Sequence, residues 1–260
     1  MISKWLNSFV QSHLLLSISS FIFSIALLNR HELSVYFSIA LSLSVFGLYN
    51  LNRLIKLKQN QLSIVMRFWY VKNSVILYWL ALISLSISVL IYFSLLKQAP
   101  MSLLLLGVMV LTTSLYIFTI KRINLRKIPG TKAIWISIVW TIIAVAIPKL
   151  ILGSFCWFDL HYVILFYALT IPGDMRDKEL DNPRMNTIPQ LIGNRMSQIL
   201  FYLLLVLFLM FNYFLEDKNP IEIILVLLFS LILFVKRFSF RYELMDGILL
   251  ILGISSLFPF

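Results

Sequence analysis

Three acidic side chains stand out for their type and spacing. Asp174, Asp177 and Asp181 lie at i, i+3 and i+7 within the stretch Pro172-Gly173-Asp174-Met175-Arg176-Asp177-Lys178-Glu179-Leu180-Asp181. A helix through this stretch carries all three on one face. Carboxylates this close repel one another and require a cation. Hard divalent ions such as Mg2+ take oxygen ligands, often one or two carboxylates, with phosphate and water completing the shell. A metal diphosphate is therefore a suitable occupant, with basic residues of adjoining loops meeting its remaining charge. The competing reading is a solvated helix end whose acids pair with Arg176, Lys178 and Arg184. Spacing alone leaves both open.

The rest of the chain says where such a site must sit. Of 260 residues, 60% are hydrophobic and 13% are charged, whereas an ordinary soluble globule carries about 25% charged residues. A disordered chain is excluded by the abundance of Phe, Leu and Ile. The single cysteine, Cys156, rules out an internal disulfide and a cysteine-cluster metal site. His13, His31 and His161 are too scattered to suggest zinc. A polytopic membrane protein remains.

A bilayer-crossing helix needs about 20 mostly apolar residues. Runs of this kind are expected at 9–28, 33–51, 74–96, 101–120, 133–152, 156–172, 199–215, 221–235 and 244–257. The first is read as a retained span, since the polar Asn29-Arg30-His31-Glu32 that follows has no small-residue cleavage site. With nine alternating spans, only Arg30, Lys97, Lys149 and Lys218 among the Lys and Arg residues fall on one side. The positive-inside rule then puts the N-terminus in the cytoplasm. Much of the net charge of +11 is thus a topology signal, with a second use in binding anionic lipid head groups and no implication of nucleic acid. The expected fold class is an all-α integral membrane protein, one transmembrane domain over residues 1–260.

At the aspartate cluster the sequence resembles the UbiA superfamily of intramembrane prenyltransferases. The family's second aspartate-rich motif, D-x-x-D-x-x-x-D followed by a T-L-P-like tripeptide and a Gly, is similar to Asp174, Asp177, Asp181, then Thr187-Ile188-Pro189 and Gly193. Tyr116, Lys121-Arg122 and the stretch from Arg126 to Lys132 resemble the family's loop between spans four and five, and Trp140 and Pro148 are in keeping. The resemblance implies a nine-helix, UbiA-like bundle with a cytoplasmic N-terminus, in the inner (plasma) membrane of a bacterium. It implies an isoprenyl group transferred from a prenyl diphosphate to a lipophilic or aromatic acceptor. Asp174, Asp177 and Asp181 would be the catalytic residues through binding Mg2+, while Lys121, Arg122, Lys132 and Arg176 would contact diphosphate.

The family's first motif, N-D-x-x-D-x-x-x-D, is not reproduced. Tyr49-Asn50-Leu51-Asn52-Arg53-Leu54-Ile55-Lys56 stands in its place. Asn50 matches the family Asn, yet every aspartate is missing, and Asn50 and Arg53 would form a degenerate diphosphate contact. The alternative is a catalytically impaired homologue that binds a membrane lipid or a partner protein, with a basic contact occupying the aspartate cluster. A transporter ranks last, for want of midplane charges or interrupted helices in matched halves. Asp159 and His161 are expected to be exposed, and His13 to be a packing residue. The serines of 34–44 and 84–88 are expected to bond backbone carbonyls and let helices pack closely.

Overall fold

A computed structural model of the chain describes residues 11–28, 32–59, 62, 64–97, 102, 105, 107, 130–178, 186–216, 226–228, 230 and 247–257. Every regular element among them is helical. The elements are α1 (Leu14–Leu27), α2 (Glu32–Lys58), α3 (Ile64–Leu96), α4 (Thr131–Thr141), a π-helical turn (Ile142–Ala146), α5 (Ile147–Ile151), a 3-10 turn (Trp157–His161), α6 (Tyr162–Asp177), α7 (Ile188–Glu216) and α8 (Gly247–Leu257). Four stretches, Leu33–Lys58, Met66–Leu95, Thr131–Ile151 and Ile188–Phe214, are long and apolar enough to cross a membrane, and α1 is a shorter apolar helix. The protein is an all-α, membrane-embedded chain. The spans expected at 101–120 and 221–235 lie largely outside the described residues.

Several helices outrun their apolar cores. α2 continues past the expected end at residue 51 to Lys58, carrying Arg53, Lys56 and Lys58. Basic side chains in a last turn complement the helix dipole, which favours the extension. α3 begins at Ile64, ten residues before the expected start at 74, and takes Arg67 and Lys72 into the helix. That segment holds no Gly or Pro to stop it. α1 begins at Leu14 because His13 adopts φ 57, a left-handed conformation that ends helical continuity there. α7 begins at Ile188, eleven residues before the expected 199, and is bent at Gly193, whose φ of 77 breaks the helix. A glycine takes that conformation without a Cβ penalty.

The chain divides into two compact units, Met1–Leu95 with Leu228–Phe260, and Leu96–Leu227. In the first, α1 packs against both α2 and α8. Gly253 lets α8 approach closely, since a Cβ there would stand 2.8 Å from the Phe23 nitrogen and 2.9 Å from the Ile22 carbonyl carbon. Gly47 does the same for α2 against Ala81 and Leu85 of α3. The serines tie the same helices together. Ser88 donates to the Ala40 carbonyl at 2.8 Å and Ser17 to that of Ser42 at 2.8 Å, while Ser38 and Ser84 bond within their own helices. Phe68, Val75, Ile76, Trp79, Val89 and Leu90 of α3 are exposed, an apolar face suited to lipid.

In the second unit, α4, the π turn and α5 form one span; α6 packs against α4, and α7 packs against α6. Pro148 lacks the N–H that would reach back one turn, and the wide turn at Ile142–Ala146 precedes it and absorbs the mismatch. Trp140 stacks on Phe166 at 5.4 Å. At the far end from the aspartates, Asp159 and His161 are buried, to 6% and 9% exposure, contrary to the exposure expected of them. Asp159 accepts from Lys149 at 2.5 Å and from the Cys156 backbone N–H at 2.7 Å. His161 stacks on Phe208 at 5.4 Å, and its Nδ1 donates to the Phe158 carbonyl at 2.6 Å. A cationic partner and an aromatic stack cover groups that residue type alone assigns to solvent.

Candidate functional site

The second unit gathers the acidic residues by simple geometry. The span 131–151 and α6 run in opposite directions, joined by a short connection, so the start of α4 and the end of α6 meet at one end. The first turn of α7 joins them. Gly130 N–H donates to the Asn186 carbonyl at 3.2 Å, and Gln190 Nε2 donates to the Lys178 carbonyl at 3.3 Å. Three helix ends therefore converge, and they carry Lys132, Asp174, Arg176, Asp177, Thr187 and Gln190.

Asp174 and Asp177 are both buried near the C-terminus of α6, at 4% and 6% exposure. Each position is electrostatically poor. Two carboxylates one helical turn apart, with Cβ atoms about 5–6 Å apart, repel by about 3 kcal/mol at an effective dielectric of ~20. The negative end of the α6 dipole adds to that repulsion. Cations therefore have to be close. Lys132 Nζ lies 2.7 Å from Asp174 Oδ1, across from α4 to α6. Arg176 grips its neighbour Asp177 with two bonds, Nε to Oδ1 at 2.7 Å and Nη2 to Oδ2 at 3.1 Å. Of the pairings expected for a solvated helix end, Arg176 is present, but the acids it belongs with are buried rather than solvated.

Thr187 and Gln190 complete this end. Gln190 Oε1 accepts the Thr187 N–H at 2.9 Å, one half of the reciprocal cap that a Thr-x-x-Gln sequence offers a helix start. The other half is not made. The Gln190 N–H goes to the Thr187 carbonyl at 2.9 Å, and the Thr187 hydroxyl, 1% exposed, has no hydrogen-bond partner. Sequence reasoning passed over Gln190, although the Thr-x-x-Gln spacing was the signal that would have found it.

Asn50 and Arg53 belong to the first unit. Asn50 is fully buried and donates to two carbonyls, Ser12 at 2.8 Å and Phe46 at 2.9 Å. Its Oδ1 lies 3.2 Å from the Tyr70 hydroxyl, whose single proton it shares with the closer Gln11 carbonyl at 2.8 Å. Both N–H donors of Asn50 are thus committed to backbone, and donation to a phosphate would require breaking one of those bonds. Arg53, one turn further along α2, is buried to 5% exposure. Tyr70 anchors an apolar cluster with Leu54, Leu62 and Leu77. Tyr70 was not legible in the sequence, because it sits in an aromatic run, Phe68-Trp69-Tyr70, with nothing to single it out.

Asp181, Lys121 and Arg122 lie outside the described residues. Among the described residues no three His, Cys, Asp or Glu side chains group as ligands for a metal ion. Asp174 and Asp177 nevertheless offer the donors that Mg2+ favours, carboxylate oxygens held by burial in a fixed geometry. Their charge is met by organic cations that any phosphate would attract, so the donor set fits the metal when Lys132 and Arg176 have another anion to bind. Comparison with family models, curated proteins and solved structures finds no match to this chain.

Proposed function

We propose that this chain is a UbiA-like intramembrane prenyltransferase, moving an isoprenyl group from a prenyl diphosphate to a lipophilic or aromatic acceptor. The proposal includes a nine-helix plan with the N-terminus inside and the site at the cytoplasmic face of the membrane. One observation carries it. Two acids and two bases, Asp174 with Lys132 and Asp177 with Arg176, are packed into the end of an apolar helical hairpin. Ionisable groups in such a setting are expensive and mark functional sites by default.

The chemistry follows from the residues. Lys132 and Arg176 donate to phosphate oxygens and accumulate positive charge where the leaving group departs. Mg2+, held by Asp174, Asp177 and Asp181, would supply further neutralisation of that diphosphate. The allylic C–O bond breaks with its electron pair on the diphosphate. The acceptor then bonds to the allylic carbon and gives up a proton. Aromatic faces such as Trp140, stacked on Phe166, favour a nearby cation, and the apolar walls of α4 and α6 keep water from quenching it. In the first unit Asn50, with both N–H donors on backbone carbonyls, ties its helix to the segment that holds Ser12.

A second reading is favoured by a specific observation, namely that Asp174 and Asp177 each already have a basic partner. On that reading the chain is a catalytically impaired homologue that binds a membrane lipid or partner protein. The test uses the full chain in lipid nanodiscs. Mg2+ with a non-hydrolysable allylic thiodiphosphate should raise the unfolding midpoint, and Asp177→Asn should abolish the rise. Absence of any rise in the wild type rejects the prenyl diphosphate site. A rise without turnover of any prenyl diphosphate across an acceptor panel selects the second reading.

A further inference from the structure

We infer that Lys132 is an exchangeable counter-ion for Asp174, which makes metal binding conditional on the diphosphate. The inference rests on the prenyl diphosphate reading and adds an order of events to it. Lys132 Nζ sits 2.7 Å from Asp174 Oδ1, on the carboxylate a metal would take as ligand, with the two side chains 16% and 5% exposed. A divalent ion arriving alone meets an ammonium already holding its ligand, and two cations cannot share one buried carboxylate without repulsion. A diphosphate changes this by offering Lys132 other oxygens.

Both charges are on the wrong end of their own helix. Lys132 is in the first turn of α4, where the dipole is positive, and Asp174 is near the end of α6, where it is negative. Neither placement stabilises its helix. Exchange relieves both, because an anion is welcome at the start of α4 and a metal cation at the end of α6. At the start of α7, which joins this same end, the Thr187 hydroxyl is buried without a hydrogen-bond partner. Lys132 suits the exchange better than Arg176. It is a single-point cation on a flexible stem reaching across from another helix, whereas Arg176 holds its own neighbour Asp177 through two bonds.

The experiment titrates Mn2+ into the full chain in nanodiscs, without phosphate, and follows loss of the free-ion electron paramagnetic resonance signal. Lys132→Met should bind Mn2+ at least tenfold more tightly than the wild type, and a Lys132→Met/Asp174→Asn double variant should lose that gain. A separate thermal series needs no variant. In the wild type, Mg2+ alone should leave the unfolding midpoint unchanged, while Mg2+ with pyrophosphate should raise it by several degrees. Lys132→Gln serves in the titration if the Met variant does not fold. Mn2+ binding to the wild type as tight as to the Lys132 variants overturns the counter-ion role and leaves the prenyl diphosphate reading standing. A gain that survives Asp174→Asn overturns it equally. If neither metal nor pyrophosphate, alone or together, affects any of these proteins, the prenyl diphosphate reading falls as well.

Discussion

Removing Lys132 should unfold the second unit more readily than removing its partner. With charge centres about 4 Å apart, the Lys132–Asp174 attraction is about 4 kcal/mol at an effective dielectric of ~20, part of it offset by the cost of desolvating both ions. Truncating one member of a buried pair typically costs about 3–5 kcal/mol, because the other charge is stranded. The two members differ in how they can escape. Asp174 has a short stem and 5% side-chain exposure, whereas Lys132 is 16% exposed on a long flexible stem that can reach for water or head groups. Lys132→Met should therefore cost about 3 kcal/mol and Asp174→Leu about 1–2 kcal/mol, in keeping with these magnitudes. The double variant replaces the pair with apolar groups and should return to within about 1 kcal/mol of the wild type. The assay is SDS-driven unfolding in mixed micelles, followed by far-UV circular dichroism and by fluorescence of the six tryptophans. A Lys132→Met variant as stable as the wild type would refute the reasoning, as would a double variant whose loss equals the sum of the singles.

Three other outcomes are expected. Gly253→Ala should destabilise the first unit by about 1–3 kcal/mol, because the added methyl meets backbone atoms of Ile22 and Phe23 that have no rotamer to yield; an unchanged midpoint in the same SDS assay would mean that α1 and α8 are further apart. Ser88→Ala should cost about 0.6 kcal/mol, the usual worth of a bond between membrane helices, and Ser84→Ala close to nothing, since Ser88 bonds across to Ala40 whereas Ser84 bonds within its own helix; equal costs would contradict that division. Cys156 is the single cysteine and is exposed, so a membrane-impermeant maleimide should label it in intact cells if its connection faces outward as the loop charges require; labelling only after permeabilisation would invert the topology.

Local features carried a large part of this protein's description. The apolar runs announced helices of membrane-spanning length because burial in lipid demands both apolar side chains and internally satisfied backbone. The serines were legible for a similar reason, since a hydroxyl on a membrane helix has few partners besides a nearby carbonyl, and Ser38, Ser84 and Ser88 each found one. Helix ends were less legible. α2 and α3 run on through Arg53, Lys56, Arg67 and Lys72, because charge ends an apolar run without ending a helix. The aspartates were visible as a set from spacing alone, and Asp174 and Asp177 do share the end of α6.

What the one-dimensional pattern determined, then, is which segments are helical, which are greasy, and where acid accumulates. The tertiary structure alone decided which cation meets which acid. Lys132 reaches Asp174 because the span 131–151 and α6 pack as an antiparallel pair, and Asn50 is bound to Ser12 and Tyr70 because the segment just before α1 and the start of α3 both lie against α2 there. It also buried Asp159 and His161, which their residue types assign to the surface. The physical reason is range. Helix formation and hydrophobicity are settled within a few residues, whereas the environment of a charge depends on whatever the fold brings within a few ångströms of it, from any distance along the chain.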